Sequence, residues 1–367
     1  MIALNDFAAQ WREIRADVHR AVDRVGERGH YILSEEVARF EGELAEFWGL
    51  AHAVGCGSGH DAIELGLVAL GLETGQKVLT TPLSSFATTL AIVRAGGVPV
   101  FVDVDEDGLL DLEACARVLD RDSTIRFLVL VHLYGRALDT RQVAALASRV
   151  HVVEDGAQAI GARSQGEPVG LRSSATCTSF YPTKNLGCLG DGGALLTRDA
   201  ELAARVRSLR DYGRVDRHRH AELGMNSRLD ELQAAILRSV MLPRLPEMNA
   251  RRAAVAAAYL TRIEHPRLVL PRRVAGNEPA WHLFPVRVTG DRDAFRAHLE
   301  AEGIESGMHF PVLIPDQPAL AEATFEVAGS LERAQGWALH QVSLPIHPQL
   351  SDDDVSRVVS ACNRWRA

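Results

Sequence analysis

Hydrophobic and polar positions in the first two hundred residues form two alternating kinds of segment. Short runs of branched apolar residues, with little period-2 alternation, are typical of strands that are buried on both faces. They are AHAVGC (51–56), KVLTTP (77–82), PVFVDV (99–104), IRFLVLVHLYG (125–135), VHVVEDG (150–156) and GGALLT (192–197). Between them, the spacing of apolar residues predicts helices at DAIELGLVALGL (61–72), FATTLAIVRAGG (86–97), LEACARVLD (112–120) and TRQVAALASR (140–149). Strands that alternate with helices predict a mostly parallel sheet with helices on both faces, so residues 50–200 are expected to form one α/β layer structure.

The pattern changes after Arg228. The segment RLDELQAAILRSVMLPRL predicts a long amphipathic helix, and Ser227 and Asp230 have the spacing of a capping box at its start. The segments AWHLFPVRV, DAFRAHLEAEGI, SLPIHP and DDDVSRVVSACNRW then predict a smaller α+β unit. We therefore expect a large domain over residues 1–245, including an N-terminal helical segment, and a small C-terminal domain over residues 246–367.

Composition narrows the class of protein. The 367 residues are 47% hydrophobic and 24% charged, which is enough apolar chain for two packed domains. The formal net charge of -8 argues against a nucleic-acid partner, because phosphate binding normally needs a basic excess. The long uncharged stretch VLTTPLSSFATTLAIV contains Pro82 and many hydroxyl residues, so no membrane span is predicted there. The first residues do not resemble a signal peptide, and a cytoplasmic protein with small-molecule partners is expected.

A glycine-rich turn lies between the first predicted strand and helix, in AVGCGSGHDAIEL (53–65). Such a turn presents backbone N–H groups to an anion at a helix N-terminus. The dinucleotide pattern GxGxxG fails because His60 occupies the third glycine position. A methyl-donor nucleoside site is also poorly matched, since Ala53 stands where such enzymes usually carry an acid. A phosphate site and a plain strand-to-helix turn both remain open for this segment.

Two further segments carry candidate chemistry at the carboxyl ends of predicted strands, where open α/β sheets bind ligands. Asp155 ends one strand and could hold a proton on a heterocyclic nitrogen or simply cap the next turn, and Gln158 follows it. Lys184 follows a strand whose last residues are Ser179, Phe180 and Tyr181, and a lysine in a desolvated pocket can form a Schiff base, although most lysines lie on surfaces. A phosphate turn, a strand-end acid and a lysine together suit pyridoxal 5'-phosphate (PLP).

The ordered set of segments resembles the DegT/DnrJ/EryC1/StrS family of sugar aminotransferases. The resemblance implies fold type I, with a large domain built on a mostly parallel sheet flanked by helices and a smaller C-terminal α+β domain. The matching segments are RGHYILSEEVARFEGELAEFWG, GCGSGHDAIEL, TTPLSSFATTLAIV, FVDVD, VHLYGRALD, VVEDGAQAIGA, SFYPTKNLGCLGDGGALLT, GMNSRLDELQAAIL, HLFPVRV, GIESGMHFPV and SLPIHPQLSDDDVSRVV.

Site residues are carried over from this resemblance. It implies that Lys184 forms the internal aldimine with PLP and moves the proton during catalysis. It also implies that Asp155 pairs with the pyridine nitrogen, that Gln158 contacts the ring hydroxyl and that Phe86 stacks on the ring.

The resemblance also predicts how the cofactor phosphate is bound. Ser179 is expected to bind it together with the backbone around Gly59, His60 and Asp61. Asn226 matches an asparagine that reaches the phosphate of the neighbouring subunit's cofactor. A homodimer with a shared active site is therefore expected.

The family's usual reaction moves an amino group from glutamate to a ketone of a nucleotide-linked sugar or a cyclitol. The run SFYPTKNLG most resembles members that act on carbon 3 of dTDP-linked 3-keto-6-deoxy sugars, and Tyr181 and His309 are candidate substrate contacts. Action on carbon 4, action on a cyclitol, and a regulator that binds PLP without turnover remain alternatives. No metal site is predicted. The chain departs from the family pattern at Pro315 in IPDQPAL and at His60 in the phosphate turn, and the first departure lies in a segment expected on the substrate side.

Overall fold

The computed structural model describes residues 1–366, and its central feature is an eight-stranded sheet. The strands are β1 (His52–Cys56), β2 (Lys77–Thr80), β3 (Val98–Phe101), β4 (Phe127–Val131), β5 (His151–Asp155), β6 (Arg163–Ser164), β7 (Glu167–Pro168), β8 (Ala175–Ser179), β9 (Gly193–Thr197), β10 (Leu268–Val269), β11 (Asn277–Glu278), β12 (Phe284–Val288), β13 (Glu326–Val327) and β14 (Gln341–Leu344). The helices are α1 (Phe7–Arg28), α2 (Glu35–Trp48), α3 (Gly59–Ala69), α4 (Phe86–Arg94), α5 (Leu112–Arg121), α6 (Thr140–Ala147), α7 (Ala200–Leu209), α8 (Glu231–Ile236), α9 (Leu245–Arg262), α10 (Arg292–Ala301), α11 (Glu332–His340) and α12 (Asp352–Arg364).

The large sheet is mostly parallel, as predicted. Its strand order is β1-β9-β8-β5-β4-β2-β3-β13, and β9 alone runs antiparallel to its neighbours. The six predicted strands and the four helices between them are confirmed to within a few residues. Val131 pairs with Asp155, which pairs with Cys177 in β8, so β4, β5 and β8 end at the same edge of the sheet. This edge is where the candidate residues of the sequence were expected.

The C-terminal part of the chain builds a second, smaller sheet. Strands β10, β12 and β14 form it, and its core includes Tyr259, Phe284 and Phe295. The chain between β12 and β14 also returns to the large sheet, because β13 pairs in parallel with β3 and Trp337 packs into the core beside that sheet. The division at residue 245 coincides with the start of α9 and stays a prediction, and Ala367 lies outside the described residues.

The helix predicted after Arg228 begins three residues later than the capping-box spacing suggested. Asp230 is the N-cap, and its side chain accepts the N–H of Gln233. The hypothesis that Ser227 caps this helix is wrong, because the Ser227 hydroxyl donates to Asp61 (2.6 Å) and accepts the N–H of Gly57 (2.9 Å). A side chain assigned to local helix capping therefore supports the glycine-rich turn.

The N-terminus of α2 is capped by a side chain from a distant helix. Its own N-cap residue, Ser34, makes no side-chain cap, and the Glu231 carboxylate in α8 accepts the N–H groups of Ser34 (2.7 Å), Glu36 (2.8 Å) and Val37 (3.1 Å) instead. Glu231 is buried. A carboxylate at this end of a helix is favoured by the free N–H groups and by the helix dipole.

Replacing Glu231 with alanine is expected to lower the free energy of unfolding by about 2–4 kcal/mol, because three N–H donors would lose their acceptor. Denaturant unfolding followed by circular dichroism measures this change. Glu113→Ala is the matched control, since that first-turn glutamate of α5 is exposed and its loss should cost less than about 0.5 kcal/mol. Equal effects of the two substitutions would contradict the capping role.

The N-terminal helix α1 is long but amphipathic. Its buried residues are Ile14, Val18, Ala21 and Val25, which join the core that includes α2 and α8. Charged side chains occupy its exposed face. Within residues 1–366, no helix is both long and apolar enough to cross a membrane.

Candidate active site

Lys184 lies on the turn that follows β8, where its backbone N–H donates to the backbone carbonyl of Tyr181 (2.8 Å). Burial lowers the pKa of its amine, and the neighbouring Asp155 carboxylate opposes only part of this effect. The chain contains just one other lysine, Lys77, which forms ion pairs with Glu326 (2.9 Å) and Asp122 (3.1 Å). Those two carboxylates raise the pKa of Lys77. Lys184 is therefore the lysine whose amine loses its proton more readily.

The turn that carries Lys184 is fixed by the next residue, which sequence reasoning missed. The Asn185 amide nitrogen donates to Asn249 Oδ1 (2.9 Å) and to the carbonyl of Ala280 (2.8 Å), and its Oδ1 lies 3.3 Å from His282 Nδ1. Burial, followed by the charges of Lys184 and other nearby groups, holds the pKa of His282 well below its ordinary value. A neutral imidazole therefore lies beside the lysine.

Asp155 is a buried carboxylate at the carboxyl end of β5. Thr88 Oγ1 donates to its Oδ2 (2.7 Å), and the N–H of Ala157 donates to its Oδ1 (3.1 Å). Thr88 belongs to the first turn of α4, three residues after the N-cap Ser85. The sequence pattern indicated no role for Thr88, because its partner Asp155 is distant in the chain.

The side chain of Gln158 is oriented by a strained neighbour. Its Oε1 accepts the N–H of Tyr134 (2.6 Å), a residue with φ of 63°. Because the carbonyl oxygen of the amide is used in this bond, the amide nitrogen is the group left to donate to a ligand. Gln158 is thus prepared to act as a hydrogen-bond donor, as its predicted role requires.

The glycine-rich turn leads into the N-terminus of α3. Ser58 is the N-cap and accepts the N–H of Asp61 (3.1 Å), so Gly59 and His60 lie in the first turn, where N–H groups have no acceptor within the helix. Burial alone would raise the pKa of Asp61, but hydrogen bonds from His60, Ser227 and Ser58 outweigh it and the pKa is lowered. The carboxylate of Asp61 therefore acts as a support that holds the turn.

Two glycines allow the turn to lie directly against the ends of β8 and β9. A Cβ on Gly59 would lie 2.8 Å from Ser179 Cβ, and a Cβ on Gly193 would lie 2.3 Å from the carbonyl carbon of Ser58. Both distances are too short for any larger residue. The packing therefore brings Ser179 next to the first turn of α3, as the predicted phosphate site requires.

The candidate contacts around the ring and the substrate come from three parts of the chain. Phe86, the first residue of α4, is half-buried and packs against the cluster of Phe101, Ile314 and Leu320. Ile314 directly precedes Pro315 in a short 3-10 helix. Pro315, which departs from the family pattern, therefore lies beside the cluster that Phe86 contacts. Tyr181 is 51% exposed.

His309 also lies close to the lysine. Burial, followed by the Lys184 charge, lowers the pKa of His309 to about 4. The imidazole is therefore neutral at pH 7.

Asn226 does not meet the other predicted residues through its side chain. It is exposed, its backbone forms a bridge with Asp211, and its side chain makes no hydrogen bond within residues 1–366. Two predicted residues, Tyr181 and Asn226, are left on the surface. His309 is held by β14 of the small sheet and lies close to Lys184. The remaining predicted residues lie at or near the carboxyl edge of the large sheet: Lys184, Asp155, Gln158, Ser179, Gly59, His60, Asp61 and Phe86.

Comparison with known proteins identifies the family. Residues 12–363 match the model of the DegT/DnrJ/EryC1/StrS aminotransferase family. The chain belongs to this family. Its fold is similar to that in the X-ray structure of Streptomyces venezuelae DesV in complex with a ketimine intermediate, with a TM-score of 0.94. The two chains are 42% identical, and the match covers 100% of this chain and 98% of that one. The predicted fold type I architecture is confirmed.

Several named relatives of this DegT/DnrJ/EryC1/StrS protein are aminotransferases. The dTDP-3-amino-3,4,6-trideoxy-alpha-D-glucose transaminase of Streptomyces venezuelae is 43% identical over 365 residues, which are 98% of this chain and 95% of that protein. The crystal structure of ntda from Bacillus subtilis with bound cofactor PMP has a TM-score of 0.87 at 27% identity and covers 95% of this chain and 81% of that one. The protein is an aminotransferase of a PLP-dependent family.

Proposed function

We propose that this aminotransferase uses PLP to move the amino group of glutamate to carbon 3 of a dTDP-linked 3-keto-6-deoxyhexose. The observation that carries the proposal is the pair formed by the Lys184 amine, whose pKa is lowered by burial, and the Asp155 carboxylate at the same edge of the sheet. The relative from Streptomyces venezuelae, whose name specifies a dTDP-linked 3-amino sugar, supports the choice of substrate.

The residues at this edge fit the cofactor. A phosphate dianion suits the first turn of α3, with its free N–H groups and the adjoining Ser179 hydroxyl. His60 Nδ1 lies 3.2 Å from Asp61 Oδ1 and donates to this carboxylate, so the His60 side chain helps to hold the turn whose N–H groups face the phosphate. His60 is thus a support of the turn, at a position where the family more often has a different residue.

Each residue then has a defined task. PLP, when bound, supplies an electron-accepting ring that stabilises negative charge on the substrate carbon. Asp155, whose carboxylate is held in place by Thr88, would keep a proton on the ring nitrogen. Gln158 would donate to the ring oxygen from its amide nitrogen, and Phe86 would pack against the ring.

Lys184 is the group that carries the proton. Its Nζ is a good proton acceptor once it is neutral, and burial lowers its pKa toward the working pH. In the first half of the reaction this amine would take a proton from the alpha carbon of the amino donor and pass it to the cofactor, and in the second half it would move a proton from the cofactor to the sugar carbon. Ping-pong kinetics are expected, because donor and acceptor use one pocket in turn.

The purified enzyme should be tested with PLP, glutamate and a panel of dTDP- and UDP-linked 3-keto and 4-keto sugars. We expect amination of the dTDP-linked 3-keto sugar, identified by mass and NMR, at the highest kcat/KM in the panel. A faster reaction with a 4-keto sugar or a cyclitol ketone would overturn the choice of acceptor. A cofactor absorbance that does not respond to glutamate would favour a binding protein without turnover.

The phosphate turn can be tested through Gly193. Gly193→Ala is expected to weaken PLP binding by at least about tenfold, because the new methyl group would displace Ser58 at the helix N-terminus. Titration of the apoenzyme, followed by fluorescence quenching, measures the affinity. Gly190→Ala is the matched control, since its Cβ would meet only the Gln233 side chain at ordinary van der Waals distance. Unchanged affinity in Gly193→Ala would contradict the role of the turn.

A homodimer is supported by the surface near Asn226. Tyr31, Ile32 and Leu189 are each about half exposed, and all three lie beside the start of α8. The backbones of Tyr31 and Ile32 pair with Glu231 and Asp230, and the N–H of Leu189 donates to the Gln233 side chain. Exposed large apolar residues grouped in this way are typical of an interface. The exposed Asn226 side chain would then be free to reach the partner's cofactor phosphate. A cytoplasmic location also stays a prediction.

Shared sites predict recovery of activity in mixed dimers. Lys184→Ala and Asn226→Asp should each be poorly active alone, the second because a carboxylate would repel the phosphate. Coexpression of both chains should restore about a quarter of the wild-type activity, since half of the dimers would contain one intact site. No recovery in dimers shown by mass to be mixed, or full activity in a monomer, would refute the shared site.

A further inference from the structure

His309 takes part in a closed ring of hydrogen bonds with two residues of β14. Its backbone N–H donates to Gln341 Oε1 (2.9 Å), Gln341 Nε2 donates to Ser343 Oγ (2.6 Å), and Ser343 Oγ lies 2.8 Å from His309 Nδ1. Gln341 and Ser343 are buried. They point to the same side of the strand because side chains two positions apart share a face.

The direction of each bond follows from the first one. A backbone N–H can only donate, so the Gln341 atom facing His309 must be the carbonyl oxygen. The amide nitrogen therefore faces Ser343 and donates to its oxygen. The Ser343 hydroxyl must also donate its own proton. Within residues 1–366, its one further hydrogen-bond partner is His309 Nδ1. Nδ1 must accept this bond, which places the ring proton of the neutral imidazole on Nε2.

The opposite tautomer would leave a buried group unpaired. With the proton on Nδ1, Ser343 Oγ would accept two hydrogen bonds and its hydroxyl proton would have no acceptor. A buried unpaired hydroxyl is disfavoured by at least about tenfold in the equilibrium between two such states. The ring stays neutral at pH 7 because burial and the Lys184 charge lower the pKa of His309.

The backbone holds the imidazole in place. Gly307 pairs with Ser343 through two backbone bonds (3.0 and 2.7 Å), which aligns the chain before His309 with β14. A Cβ on Gly307 would lie 2.8 Å from His309 Cε1, so only glycine allows the ring to lie there. Nδ1 is engaged by Ser343, and Nε2 has no partner within residues 1–366.

We propose that Gln341 and Ser343 are positioning residues that fix His309 as the Nε2–H tautomer, so that it donates a hydrogen bond to an oxygen of the bound substrate. The imidazole then cannot serve as a general base, and proton transfer is left to Lys184. The substrate contact rests on the proposed function, whereas the tautomer rests on the hydrogen bonds alone.

The tautomer is measured directly by NMR of the enzyme labelled with 15N-histidine at pH 7. The signals of His309 are assigned by their loss in His309→Gln. We expect a protonated Nε2 and an unprotonated Nδ1. A protonated Nδ1, or averaged signals from two tautomers, would overturn the proposal whatever the substrate proves to be.

Ser343→Ala removes the hydroxyl that donates to His309 Nδ1 and so tests the positioning role of Ser343 separately from the fold. We expect the His309 signals to shift to a mixture of tautomers and kcat/KM for the keto sugar to fall about tenfold, because the donor is no longer fixed. Ser343→Thr keeps the hydroxyl and should restore both the Nε2–H signal and the rate. An unchanged His309 tautomer in Ser343→Ala would overturn the positioning role of Ser343, even if the rate fell.

Discussion

Replacing Lys184 with alanine is expected to reduce transamination by a factor on the order of 10^4 or more, because one amine both binds the cofactor covalently and moves the proton. The variant should still fold and still bind PLP without a covalent bond, since the phosphate turn and Asp155 remain. Steady-state rates with glutamate and the keto sugar measure the loss.

The chain supplies its own control for this prediction. Lys77 is the one other lysine and lies in surface ion pairs on β2, so Lys77→Ala should retain nearly all of the activity. Retained activity in Lys184→Ala would remove that residue from catalysis. A comparable loss in both variants would indicate damage to the fold.

Replacing His132 with alanine is expected to lower the free energy of unfolding by about 3–5 kcal/mol, the usual result of removing one partner from a buried pair. His132 Nδ1 accepts the N–H of Leu138 (3.1 Å), which places the ring proton on Nε2. Nε2 donates to Glu154 Oε2 (2.6 Å), which also accepts the N–H of Gly170 (2.8 Å). Both side chains are almost fully buried. The alanine variant would leave the Leu138 donor and the Glu154 carboxyl group without this partner.

Equilibrium unfolding in denaturant measures this effect, with His218→Ala as the control at an exposed position. The double variant His132→Ala/Glu154→Ala should be less destabilised than the sum of the two single variants, because removing both partners leaves fewer unpaired groups. A loss below about 1 kcal/mol for His132→Ala, or strict additivity, would contradict the importance of the pair.

The sequence predicted those parts of the fold whose pattern is local. The buried strands β1 to β5 and β9 were recognisable because each is a short apolar run between helical segments. Strand β13 was missed, since two residues carry no periodicity. The start of α8 was misplaced because Ser227 has a stronger partner in Asp61, far away in the chain, than in the helix beside it.

In the candidate site too, residues with a local sequence signal were predicted and residues that act through distant partners were not. Lys184 and Asp155 follow strands directly, so the order of the strands was enough to bring them together. Thr88, Asn185 and Ser343 were missed, because each acts through a partner that only the folded chain brings close. The composition carries a further signal: lysine is rare in this arginine-rich chain, which makes the position of a lysine after a buried strand more informative.

Reduction of the PLP-loaded enzyme with borohydride, followed by peptide mass spectrometry, tests the central claim most directly. Borohydride converts an imine between a lysine and PLP into a stable amine, and the chain offers only two lysines for comparison. We predict one pyridoxyl phosphate group per chain on the peptide that contains Lys184, and none on the peptide that contains Lys77. Labelling of Lys77, or no covalent label at all, would contradict the account.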